Sequence, residues 1–151
     1  MSTKVNEIIV VAKNRRAGFE YSILETYKAG MVLKGTEIKS IRDGKVNIAD
    51  AYCLVQDGEA FIRNMHIDEY DRGGFVNHSP RADRKLLLKK NELKKLTNKL
   101  KDKGLTLVPL SLFINEKGFC KLEFALGKGK KSFDKREDIK KRDVQRELDR
   151  N

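Results

Sequence analysis

Leu105-Thr106-Leu107-Val108-Pro109-Leu110-Ser111-Leu112-Phe113-Ile114, then Asn115-Glu116-Lys117-Gly118, then Phe119-Cys120-Lys121-Leu122-Glu123-Phe124-Ala125-Leu126 reads as two strands joined by a polar turn. In the return arm Cys120, Leu122, Phe124 and Leu126 alternate with Lys121, Glu123 and Ala125, so one face is buried and the other is wet. Pro109 cannot donate to a ladder, so the first arm holds an edge or a bulge. Ala51–Gln56 and Glu59–Ile67 form a second hairpin around Asp57-Gly58, a dipeptide suited to a type I′ turn because both central residues need positive φ.

The remaining elements are read outward from these hairpins. Glu7–Ala12 is a β-branched run and a candidate buried strand. Asn14–Gly18 is a polar loop. Phe19–Lys28 has Phe19, Ile23, Leu24 and Tyr27 on one helical face, with Gly30 as a terminating glycine, and predicts a short helix. Met31–Arg42 predicts a long strand bent at Gly35 and closed by Asp43-Gly44. Asn47 is placed to cap a single turn. Residues 68–83 form a loop, and Asn91–Lys103 a helix capped by Asn91 and stopped by Gly104. Leu93, Leu96 and Leu100 give that helix its stripe, which Leu86 extends by one heptad. No internal repeat is found. Two strong hairpins with few helices predict a mainly β protein: a small antiparallel OB-type barrel with flanking helices and a basic C-terminal tail. The boundaries expected are 1–126 for the barrel and 127–151 for the tail. The tail carries only Ile139, Val144 and Leu148 as a thin apolar stripe, so it is expected to be disordered when free and helical on a polyanion.

The chain has 151 residues and a formal charge of +11, with 36% charged residues. Residues 84–103 hold nine cations and two carboxylates; residues 127–151 hold ten and six; the remainder balances. The excess therefore lies in two blocks, and polyanions, nucleic acid first, are the expected partners. No apolar run approaches a bilayer span of roughly 20 residues, and the N-terminus lacks the apolar core of a signal peptide. Cys53 and Cys120 are far apart without metal-ligand spacing, so no metal site is expected and a reducing cytoplasm is the default. His66 reads as a structural histidine in a strand. His78-Ser79 lies in a loop, and Asp68, Glu69 and Asp71 as a solvated acidic cluster. The Gly127–Lys131 run fits no phosphate-loop spacing. No catalytic residue and no cofactor is expected.

RNA chemistry has better candidates. Arg15 and Arg16 offer bidentate phosphate contacts beside Phe19, Tyr21 and Tyr27. The lysine-rich helix and Arg84-Lys85 form a second basic surface. Phe133 sits between basic clusters in a segment without a core, where a nucleobase is a natural partner.

Asn14-Arg15-Arg16-Ala17, Glu20-Tyr21, Leu33-Lys34-Gly35-Thr36-Glu37-Ile38-Lys39-Ser40-Ile41-Arg42, Asn47-Ile48, Gly58-Glu59, Asn77-His78, Arg84-Lys85-Leu86-Leu87-Leu88 and Gly127-Lys128-Gly129-Lys130-Lys131 with Asp134-Lys135-Arg136 together resemble the SsrA-binding protein (SmpB) family. The resemblance implies an OB-type barrel that binds the tRNA-like domain of transfer-messenger RNA (tmRNA) and serves trans-translation, the rescue of stalled ribosomes. It implies an RNA-binding surface of Asn14, Arg15, Arg16, Tyr21, Lys34, Glu37, Lys39, Arg84, Lys85, Leu86 and Leu87, with Glu37 orienting a cation. It implies a ribosome-facing tail of Lys128, Lys130, Lys131, Phe133, Asp134, Lys135, Arg136, Lys140, Lys141 and Arg142. That tail would occupy the vacant mRNA channel near the small-subunit decoding centre. The partners implied are tmRNA and the ribosome, with the protein a cytoplasmic monomer, off the membrane. Phe133 stands where relatives often carry His or Tyr, Lys28 where an acidic residue is common, and Ala82 where Arg is frequent. A permanent ribosomal RNA-binding barrel and an RNA-modifying enzyme on the same barrel are the competing readings.

Overall fold

In the computed structural model, residues 8–72, 76–130 and 136 are described. The chain order is β1 (Ile9–Lys13), α1 (Ala17–Glu20), β2 (Tyr21–Met31), α2 (Gly35–Arg42), β3 (Val46–Asn47), β4 (Tyr52–Gln56), β5 (Glu59–Arg63), β6 (His66–Ile67), β7 (Arg84–Leu87), α3 (Lys90–Lys99), β8 (Leu105–Ile114) and β9 (Cys120–Gly129). Sheet order β1-β8-β4-β5-β7-β2-β9, with β8 also paired to β9, closes a ring of β8, β4, β5, β7, β2 and β9. Every pairing in it is antiparallel, as the two hairpins required.

Both hairpins form, although the expected Glu59–Ile67 arm stops at Arg63: Asn64 turns at φ +62°, and His66–Ile67 pairs with β3 instead. Tyr52↔Arg63 through Gln56↔Glu59 pair β4 with β5. Their turn places Asp57 at φ +53° and Gly58 at +75°, the positive pair that type I′ geometry demands. Leu105↔Lys128 through Ile114↔Cys120 pair β8 with β9. The Asn115 carboxamide oxygen accepts from the Lys117 and Phe119 N–H groups at 3.1 and 2.9 Å and organises that turn. The register slips between Pro109 and Ser111, so the proline sits at a bulge. This bulge divides the outer edge of β8 between two neighbours. β1 pairs with residues 111–114, and β4 reaches Leu107 through Cys53.

Several expectations are corrected. Phe19–Lys28 is not a helix: after one turn at α1, the chain runs straight as β2. Its pairing with β9 extends from Tyr21↔Gly129 to Gly30↔Lys121, and Gly30 lies inside the strand. A bulge between Ile23 and Glu25 shifts the side-chain parity there, which disguised the strand's period of two as a helical spacing. Met31–Arg42 is not one long strand. α2 begins at Gly35, and Glu37 reaches back to accept the Lys34 N–H at 2.8 Å. Its buried face is Glu37, Ser40 and Ile41, a helical spacing. The β1 run was expected to be buried, yet Ile8, Ile9 and Val10 are exposed because β1 is an edge strand on β8. Leu86 is buried in β7 rather than extending the α3 stripe. Finally, β9 continues three residues past Leu126 and pairs with Tyr21, Ser22 and Ile23.

The core lies inside the ring, built from Ile62, Leu107, Leu112, Leu122 and Phe124 with Leu96 from α3 and Ile41 from α2. Tyr27 stacks on Phe124 with ring centroids 5.6 Å apart. The helices thus seal the barrel while the loops between strands carry the polar surface. No helix among the described residues is long and apolar enough to cross a membrane.

Candidate nucleic-acid interface

Two ends of β2 organise the candidate residues. An extended strand of this length spans roughly 30 Å, so the clusters at its start and its end are separate surfaces.

At the start, the bulge on β8 leaves carbonyls that neither β1 nor β4 satisfies. Asn14 closes the gap: its N–H donates to the Leu110 carbonyl at 2.8 Å, and its carboxamide donates to the Pro109 carbonyl at 3.0 Å. Asn14 is therefore a brace, and the turn it fixes projects Arg15 and Arg16 into solvent. The Arg16 guanidinium pairs with Glu20 at 3.1 Å and lies 5.9 Å from the centre of the Phe19 ring. Half-buried Tyr21 and 50% exposed Tyr52 share a cleft of about 470 Å³ with Asn14, Arg16, Thr106 and Pro109. Lys128 is exposed on the neighbouring strand. Lys130 is fixed at the exit of β9, its N–H donating to the Glu20 carbonyl and its ammonium to the Gly18 carbonyl, each at 2.9 Å.

At the far end, β7 alternates. Arg84 and Leu86 point inward; Lys85 and Leu87 point outward. The Arg84-Lys85-Leu86-Leu87 motif is thus divided by strand geometry. Arg84 is 2% exposed and forms a very short ion pair with Glu37, itself 4% exposed. Arg84 also donates to the carbonyls of Met65 at 2.6 Å, Ser79 at 3.2 Å and Pro80 at 3.1 Å. This corrects the expectation that Arg84 and Leu86 line the RNA surface: both are interior, as is the supporting residue Glu37. Glu37 does orient a cation, and that cation is Arg84. Lys85 is half-buried and paired with Glu59 at 2.9 Å. Leu87, 52% exposed, borders a depression of about 440 Å³ with Phe119, 63% exposed, and the cations Arg42, Lys117 and Lys121. Lys34 is exposed at the cap of α2, and the Lys39 ammonium sits 5.4 Å from the centre of the Tyr70 ring.

Tyr52, Arg42, Lys117, Phe119 and Lys121 line these two depressions without having been singled out in the sequence. Strand alternation around buried Cys53 was the available signal for Tyr52. The others converge from three elements, which no local pattern reveals. In the tail, Arg136 is exposed; Lys131, Phe133, Asp134, Lys135, Lys140, Lys141 and Arg142 lie outside the described residues.

The described histidines and cysteines are held inside the fold or beside one carboxylate. His78 is buried, its Nε2 donating to the Ile67 carbonyl at 3.0 Å and its Nδ1 accepting from the Thr36 hydroxyl at 2.9 Å. Burial pushes the Cys53 thiol far up and the Cys120 thiol to about 12, so neither ionises readily. Among the described residues no group of three His, Cys, Asp or Glu side chains converges as a metal cage.

A closed antiparallel barrel with helices on its ends, Arg16 and two tyrosines in one cleft, and cations around an exposed apolar depression defines an OB-type polyanion-binding barrel. Comparison with known proteins narrows this. Residues 11–151 match the family described as SmpB protein. The chain is 56% identical over 150 residues to the SsrA-binding protein of Cytophaga hutchinsonii, covering 99% of this chain and 98% of that one. It is 60% identical over 137 residues to the SsrA-binding protein of Flavobacterium psychrophilum, covering 91% of each. A solved chain from "tmRNA-SmpB: a journey to the center of the bacterial ribosome" superimposes with a TM-score of 0.66 at 49% identity, covering 80% of this chain and 84% of that one. The chain belongs to the SmpB family.

Proposed function

We propose that this protein binds the tRNA-like domain of tmRNA and delivers it to stalled ribosomes in trans-translation, acting as an RNA-binding factor with no catalytic step of its own. Family membership across nearly the whole chain is the observation that carries this reading. The surface supports it: Arg15, Arg16 and Tyr21 at one end of β2, and Lys34, Lys39, Lys85 and Leu87 at the other, present phosphate-binding and stacking groups. Asn14, Glu37, Arg84 and Leu86 serve that surface from beneath it. Asn14 fixes the arginine turn, and the Glu37–Arg84 pair holds α2 and the 79–80 loop against β7.

The tail from Lys131 onward is assigned to the mRNA channel near the decoding centre, with Lys128 and Lys130 at its root. The fixed position of Lys130 supports that division, because it sets where the following segment leaves the barrel. The cytoplasm, where ribosomes stall, is the compartment assigned.

Capturing the full-length protein from a bacterial lysate and sequencing the bound RNA tests the reading. Strong enrichment of tmRNA over tRNA is expected; equal recovery of both sinks it. A high-salt wash of ribosomes separates the competing view, since a permanent ribosomal protein stays on the subunits whereas this factor leaves.

A further inference from the structure

We propose that the outer face of α3 is a second RNA site, one that grips the sugar–phosphate backbone of an RNA stem while the tRNA-like domain occupies its own surface. The inference rests on the RNA-binding reading above and adds a contact outside both surfaces named there.

A groove of about 550 Å³ runs between α3 and the tip of the β4–β5 hairpin, lined by Gly58, Lys90, Leu93, Lys94, Thr97 and Asn98. The helical residues stand at i, i+3, i+4, i+7 and i+8, so they form one continuous face. The cations of α3 fall into two sets. Lys99 turns to Glu25 at 2.5 Å, and Lys95 adds its field to the same carboxylate, which is held below its usual range mainly by the Lys99 hydrogen bond. That flank is compensated. Lys90 and Lys94 line the groove, and no carboxylate is among its lining residues. Glu92, the acid nearest in sequence, is spent on the helix cap, accepting from the Lys89 N–H at 3.2 Å.

Two uncompensated ammonium groups one helical turn apart suit successive phosphates of a single strand. Lys90 also opens the helix, where the macrodipole adds to the positive potential. Leu93 and the lysine stems give an apolar floor for ribose. The Thr97 hydroxyl donates to the Leu93 carbonyl at 2.7 Å, so its oxygen keeps acceptor capacity for a 2′-hydroxyl. Gly58 bounds the groove without a side chain, in a left-handed conformation where any larger residue is strained. An acidic protein partner fits less well. None of the large exposed apolar side chains among the described residues belongs to α3 or to this turn, and a protein interface needs an apolar centre.

The test uses the full chain, the isolated tRNA-like domain, and a blunt RNA duplex of about 16 base pairs with no sequence relation to it. In about 0.1 M salt, Lys90→Gln with Lys94→Gln should weaken duplex binding about tenfold or more and flatten the log–log salt slope by about two. Lys90→Arg with Lys94→Arg should keep the duplex bound. Affinity for the tRNA-like domain should stay within about twofold in the Gln variant, and the duplex should still bind protein saturated with that domain. Unchanged duplex affinity in the Gln variant overturns the proposal, as does displacement of the duplex by the tRNA-like domain. If polyglutamate of matched charge binds as tightly as the duplex and loses as much affinity in the Gln variant, the face is a protein site and the proposal fails. Failure of the wild-type chain to bind the tRNA-like domain would instead overturn the proposed function, leaving the duplex arm to be read separately.

Discussion

Arg84 shows how a motif residue changes meaning once its surroundings are known. A cation in Arg-Lys-Leu-Leu suggests phosphate binding, but here its guanidinium meets a buried carboxylate and three carbonyls. Replacing Glu37 by Gln leaves an uncompensated buried charge and should cost about 3–5 kcal/mol of stability, read by urea unfolding. Glu37→Met with Arg84→Leu should remain destabilised, because the Met65, Ser79 and Pro80 carbonyls lose their donors. Tyr27 gives a second residue-level expectation. Partial burial first, and then the hydrogen bond its hydroxyl donates to Glu25 at 2.5 Å, raise its pKa from 10 to about 12. The folded value lies above the unfolded one, so the stabilisation is complete below pH 10 and is lost as pH rises through about 12. Ultraviolet titration should show a late tyrosine step near pH 12 that Tyr27→Phe removes. The two thiols should resist disulfide reagents at neutral pH until the chain unfolds.

Elements were legible in proportion to how local their causes are. Both hairpins announced themselves through alternation and turn chemistry, and α3 through its leucine stripe, although the helix opens at Lys90 with Lys89 as its cap, rather than Asn91, and ends at Lys99, before the expected stop at Gly104. β2 and α2 did not. The bulge at Leu24 breaks the alternation of β2, and its partner strands, β9 along most of its length and β7 at its end, hold it extended. In α2, burial of Glu37 and Ser40 hides the helical face from any reading that expects apolar residues inside. β9 also redraws the limit of the barrel. A chain ending at Lys130 should match the stability of the full protein, whereas one ending at Leu126 loses the ladder to Tyr21 and Ser22 together with the Lys130–Glu20 bond. A deficit of about 2–4 kcal/mol is expected for the shorter chain by urea unfolding. Leu96→Ala should cost about 2–5 kcal/mol, since this side chain of α3 is fully buried in the core.

Across the whole molecule, the net charge of +11 resolves into surfaces. One part is neutralised in place, by Glu37, Glu59 and Glu25. Another part projects outward at Arg15, Lys34, Lys128 and the groove face of α3. Through Arg15 and Lys34, and apart from the α3 face, binding of the tRNA-like domain should be steeply salt-dependent; six contacts to looped RNA give a log–log slope of roughly −4. Arg15→Gln with Arg16→Gln should weaken that binding about tenfold or more in about 0.1 M salt while leaving the unfolding midpoint nearly unchanged. Removing residues 131–151 should leave RNA affinity largely intact and abolish tagging on stalled ribosomes; loss of RNA binding in solution would show that the division of labour is wrong.

By itself the sequence determined the mainly β class, both hairpins, the lysine-rich helix, the two-block charge distribution and the family resemblance, because each rests on neighbours a few residues apart. Tertiary structure alone decided which motif residues face solvent. Asn14 braces a bulge on a strand 95 residues away, and Glu37 meets Arg84 across 47 residues. Such pairs are fixed by ring closure and strand alternation, and burial then turns two polar side chains from surface candidates into internal ties.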